Sequence, residues 1–159
     1  MSERDDLQAA LSQARSFLRY TAEGLTDHQA NQASTVSSLT VGGLIKHVSL
    51  TEQNWVRFIR EGAAAFSGGL DDHASSFRLG EQSLADALQR YADIAADTDE
   101  LLRTVDLDAG QELPPAPWFT PGERRSARRT FVHIIAETAQ HAGHADIIRE
   151  AIDGQKTMG

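Results

Sequence analysis

No cysteine occurs anywhere in the 159 residues. Its absence excludes disulfides, thiolate metal ligands and a cysteine nucleophile. No stretch approaches the roughly 18 consecutive apolar residues that a membrane-spanning helix requires. The opening segment MSERDDLQAA is acidic, without the basic start and apolar centre of a secretory signal, so a cytoplasmic protein is expected. Positive charge is scarce too: 15 Lys and Arg against 23 Asp and Glu leave a net charge of -8 and a pI near 5.1. Long-range repulsion then opposes nucleic acid or an anionic membrane as partner. There is no glycine-rich dinucleotide fingerprint, no phosphate-binding loop and no H-E-x-x-H pair. No period-two run bounded by turns is found either, so no strand is expected.

What is present is ordinary globular sequence, with 24% charged and 40% hydrophobic residues. Its length suits one domain over residues 1–159 with one sizeable core. Arginine outnumbers lysine 13 to 2, a bias that suggests a GC-rich bacterial genome. Ser2 and Asp5 resemble a capping box, and Leu7, Leu11, Ala14, Phe17 and Leu18 then recur at helical spacing as far as Gly24. The segment from Leu25 to Thr40 reads as a long connection with a short helical turn at TDHQ. Thr40 is a good N-cap for a second helix from Val41 to Glu61, closed by Gly62. Its glycine pair Gly42 and Gly43 permits close approach of another backbone or a ligand. A loop from Ala63 to Gln82 follows, and Ser83 caps a third helix that ends near Asp106. All four prolines fall between Asp108 and Arg125, marking a long crossover. Ser126 caps the fourth helix. Four amphipathic helices with long crossover connections make an all-α four-helix bundle.

The fourth helix carries the chemistry. Between Thr130 and Glu150, TFVHIIAETAQHAGHADIIRE, an apolar arc contains Phe131, Ile134, Thr138, Ala142 and Ala145. His141 lies within that arc, and Glu137 and His144 lie at its edge. A carboxylate and two imidazoles turned toward a core are costly unless paired or coordinated. Glu137 and His144 are seven residues apart, about 10.5 Å along the axis, whereas zinc-type ligands sit about 2.0 to 2.2 Å from their ion. One ion therefore takes Glu137 with His141 or His141 with His144, and His141 is common to both. On the second helix His47 borders the apolar arc and can face the seam between helices, where bundles build metal sites. Three such ligands leave a position open, as catalytic sites do, and do not choose among zinc, nickel and iron. The alternative is a set of solvated polar residues at a helix edge. The basic run RRSARR from Arg124 to Arg129 opposes the dipole of the helix it begins. An anionic ligand, a capping partner or plain solvation would each account for it. Trp55 and Trp118 read as core and loop anchors.

The segments GGLIKHVSLTEQNW and HIIAETAQHAGHADIIREAIDG resemble the DinB-like superfamily, in particular its mini-DinB members, which are related to mycothiol- and bacillithiol-dependent metalloenzymes. The resemblance runs over nearly the whole chain. It implies a four-helix bundle, frequently a homodimer, with a divalent metal held by a histidine of the second helix and two ligands one turn apart on a later one. Carried onto this sequence, it places the first ligand at His47 and the later pair at Glu137 and His141. Many relatives have histidine at the position of Glu137; the histidine, glutamate, histidine set is similar to that of the mycothiol-dependent isomerase branch. His144 then stands beside the metal as an outer residue or proton carrier, or takes the place of Glu137 as third ligand.

The resemblance implies a metal-dependent enzyme that uses a low-molecular-weight thiol as cosubstrate, an S-transferase or isomerase acting on a small electrophile. The absent cysteine agrees with this, because the cosubstrate brings the sulfur. Two other readings use the same ion: a hydrolase that activates water, and a non-catalytic stress protein that binds metal or a small molecule.

Overall fold

The structure is a computed structural model that describes residues 2–67 and 73–158, with the backbone alone at residue 73. Four long helices form it: α1 (Glu3–Tyr20), α3 (Val41–Glu61), α5 (Leu84–Thr104) and α6 (Ala127–Asp153). Short helices α2 (Asp27–Ala30) and α4 (His73–Ser76) and a 3-10 turn (Gly62–Phe66) interrupt the connections. Helix α1 packs on α6, and α3 packs on both α5 and α6. The fold is all-α and DinB-like.

The helix starts follow the local chemistry read from sequence. Ser2 and Asp5 form both bonds of a capping box, and Thr40, Ser83 and Ser126 each accept from the backbone N–H three residues on. Gly62 and Gly154 end α3 and α6 at φ of 68° and 82°, a conformation that side chains disfavour. The TDHQ turn is α2, with a capping box of its own between Thr26 and Gln29.

Two expectations are corrected. The crossover holds strands after all: β1 (Gly110–Glu112) pairs antiparallel with β2 (Arg124–Ser126). Three residues a side, on a surface ladder without apolar alternation, leave no periodic signal to read. The segment from Ala63 to Gln82 is also more ordered than a loop, since it contains the 3-10 turn and α4; residues 68–72 within it lie outside the described residues.

The core has two apolar halves. Leu18, Leu44, Ile45, Val48, Tyr91 and Ala145 belong to one, and Leu11, Trp55, Phe58, Leu102, Phe131 and Ile134 to the other. Each fully buried large side chain contributes roughly 1.5 to 3 kcal/mol. Along α1, α3 and α5 the halves are separated by polar residues at the same level. Arg15 donates to Glu52 through Nε at 3.2 Å and Nη2 at 2.5 Å, and Thr98 Oγ1 donates to Glu52 at 2.6 Å. Asp99 takes the remaining Arg15 Nη1 at 2.7 Å. Glu52 is wholly buried, so these three donors are what make its charge tolerable there. On α6 the corresponding level carries Glu137, Thr138 and His141.

Candidate metal centre and its cleft

Helices α3 and α6 face each other near the boundary between the two apolar halves. His47 is buried just after Leu44 and Ile45, and His141 is buried one residue before Ala142. Their rings meet edge to face with centroids 5.0 Å apart. Glu137, one turn before His141 and half-buried, brings its Oε2 to 3.6 Å from His141 Nε2. Among the described residues, His47, Glu137 and His141 form a group whose ligand atoms all lie within 4.8 Å of one another.

Each member is held by a neighbour. His47 Nδ1 is 2.9 Å from Ser76 Oγ, its Nε2 is 3.5 Å from Thr51 Oγ1, and Phe77 stacks on its ring at 3.7 Å. Both Ser76 and Phe77 come from the segment expected to be a loop. That segment can reach α3 because Gly43 has no side chain: a Cβ there would fall 2.0 Å from the Phe77 carbonyl oxygen, and one at Gly42 would fall 2.9 Å from the carbonyl oxygen of Ala30 in α2. The glycine pair thus admits backbone, one turn ahead of His47. His141 Nδ1 lies 3.2 Å from Nδ1 of His144, which is itself exposed and outside the three-residue group.

The donor set fits a divalent ion. Two donors of a tetrahedral ion with bonds of about 2.1 Å stand about 3.4 Å apart, close to the 3.6 Å between Glu137 and His141. His141 holds the Glu137 carboxyl below the ordinary carboxylate range; burial opposes this, and the charges of His133, His141 and His47 add to it. Glu137 is therefore an anion at neutral pH, as a ligand must be.

His133 lies outside the ligand candidates that the sequence offers, yet it belongs here. Its Nε2 is 3.9 Å from Glu137 Oε1, and its ring meets Trp55 edge to face at 4.8 Å. Burial lowers its pKa, against the pull of Glu137. The signal was available as histidine, glutamate and histidine at 133, 137 and 141, a stripe of one-turn steps. Its position at the outer edge of the apolar arc hid it.

His47, Glu137 and His133 face a cleft of about 920 Å³ whose far wall is the proline-rich crossover. Trp55, Phe66 and Phe119 supply apolar surface to it. Trp118 also borders the cleft, but 65% of it is exposed, so it does not anchor the loop as expected. Among the described residues no helix is long and apolar enough to cross a membrane.

Comparison with known proteins matches residues 6–154 to a model of the family described as Mycothiol-S-transferase. No curated protein matches the sequence. A crystal structure of a conserved protein from Enterococcus faecalis is similar in fold, with a TM-score of 0.73 at 15% identity, covering 98% of this chain and 99% of that one.

Proposed function

The chain belongs to the mycothiol S-transferase family of the DinB-like superfamily, and from that premise we propose that it is a divalent-metal-dependent enzyme transferring a low-molecular-weight thiol, mycothiol in the first instance, to a small electrophile. The observation that carries this reading is the convergence of His47, Glu137 and His141 at the wall of a large cleft. These three residues would hold the ion, with His144 behind His141 as its hydrogen-bonding partner. A divalent ion there supplies Lewis-acid chemistry, lowering the pKa of a thiol so that thiolate is available near neutral pH.

The protein's own groups prepare the ligands and shape the substrate's surroundings. Ser76 and Phe77 fix the His47 ring, and the second ring nitrogen of His141 is engaged by His144, which limits how far either ring must turn when an ion enters. Trp55, Phe66 and Phe119 give the cleft an apolar wall. A volume of about 920 Å³ is ample for two small molecules side by side. The same reading takes residues 1–159 as one domain of a cytoplasmic homodimer, which sedimentation of the purified protein would check.

The test is metal-loaded protein incubated with mycothiol and a panel of electrophiles, with thioether products read by mass spectrometry. Product that requires both metal and thiol is expected. Ester or amide turnover without thiol would instead point to hydrolysis, and metal binding without any product to a non-catalytic role.

A further inference from the structure

The arginine run at the start of α6 has separate fates for its members. Arg124 donates to the Gly110 carbonyl across the strand pair, and Arg128 pairs with Glu3 and Asp108. Arg125 turns the other way, into the cleft that His47 and Glu137 border. Its guanidinium lies 4.7 Å from the Trp55 ring centroid and 5.6 Å from that of Phe119. Two aromatic faces hold the cation in place without neutralising it. Its Nη1 is buried and has no hydrogen-bond partner among the described residues. Burial and the charge of Arg129 both lower its pKa, and Glu123 only partly offsets them. It nevertheless stays protonated, since arginine does not lose its proton under ordinary conditions.

With Nη1 shut off from solvent, a ligand in the cleft would meet the rest of the guanidinium, which forms no ion pair among the described residues. Three contacts in succession join it to the candidate metal centre: Arg125 on Trp55, Trp55 on His133, and His133 beside Glu137. The cation therefore stands within one cleft of the proposed reaction centre, on a protein whose net charge is -8. We infer that Arg125 is a specificity-determining residue that receives a carboxylate of the small-molecule substrate, so that the electrophile is an organic acid. A planar carboxylate matches the fork of the guanidinium, and the aromatic walls accept the apolar part of the same molecule. The inference rests on the cleft being the substrate side of the metal centre, and it deepens that reading by naming a substrate class.

Benzoate and its neutral isostere benzamide serve as probes. Calorimetric titration compares wild type, R125Q and R125K, each in metal-loaded and chelator-stripped form. The expected result is benzoate binding to wild type in both forms, at least tenfold weaker in R125Q and intermediate in R125K, with benzamide weak throughout. Circular dichroism of R125Q verifies that its helices are intact, and R125K retains the cation if R125Q is destabilised. The inference is overturned if wild type fails to prefer benzoate to benzamide, if R125Q binds benzoate within twofold of wild type, or if binding follows the metal and not Arg125. Metal content of H47A and H141A separates the two ideas: unchanged metal in those variants removes the metal centre while leaving the Arg125 result to stand on the chelator-stripped protein.

Discussion

The ring of Phe77 lies almost flat on that of His47, 3.7 Å away with 15° between their planes. This stack depends on Gly43, whose Cα faces the Phe77 carbonyl where no Cβ fits. A backbone approach thus orients an imidazole at the candidate site.

Replacing Gly43 with alanine should therefore damage both stability and site. The clash is with backbone, which cannot rotate away, so a loss in the upper part of the usual range for overpacking, about 1 to 3 kcal/mol, is expected. For a chain of this size that is a fall in Tm of several degrees. Thermal denaturation measures the first effect and metal titration the second. An unchanged melting temperature would show that the segment can move off α3 without loss.

Ser76→Ala should leave the helices intact and weaken metal binding. Removing a partner that orients a ligating histidine typically lowers affinity about 10- to 100-fold. Competition with a chromophoric chelator reads this directly, beside H141A, which should retain almost no ion. Equal affinity in S76A and wild type would mean that the His47 ring is set without Ser76, by Phe77 and its other neighbours.

Glu52→Ala is expected to be among the most destabilising substitutions outside the site. It leaves Arg15, 6% exposed, without its principal counter-charge, and breaking a buried pair in this way costs about 3 to 5 kcal/mol. Replacing both residues, as R15M with E52M, should recover much of that loss, because two apolar side chains need no partner. Urea denaturation of the two variants decides it. A double variant no better than E52A would assign the loss to Thr98 and Asp99, whose bonds to the pair are also broken.

Acid should destabilise the fold through Asp97. Its two hydrogen bonds from Arg60, 2.8 Å each, hold its pKa below the ordinary carboxylate value. A group with a depressed folded pKa contributes stability that is fully present above its unfolded pKa, about 3.9, and is lost as pH falls through the folded value. Asp97→Asn should thus lower stability at pH 7 and flatten its decline under acid. Both side chains are largely exposed, so the effect is small and shrinks in high salt. Parallel denaturation curves for wild type and D97N across the acid range would contradict it.

The four long helices were legible because caps and periodicity are local. Ser2, Thr40, Ser83 and Ser126 mark starts through bonds that reach only three residues. His141 was legible for a similar reason, since a histidine inside an apolar arc is conspicuous within one helix. Arg15 and Glu52 were not, although each sits among buried neighbours, because periodicity shows that a charge faces inward but not which charge on another helix meets it.

The sequence by itself determined the bundle, the starts of the long helices and a short set of ligand candidates, all consequences of interactions within a few residues. Only tertiary structure decided which candidates converge. It brought Glu137, not His144, into the group with His47 and His141, set Ser76 and Phe77 against His47, and turned Arg125 into the cleft. Those placements depend on how helices cross and where connections return. Contacts between residues far apart in the chain fix both, and no local pattern records them.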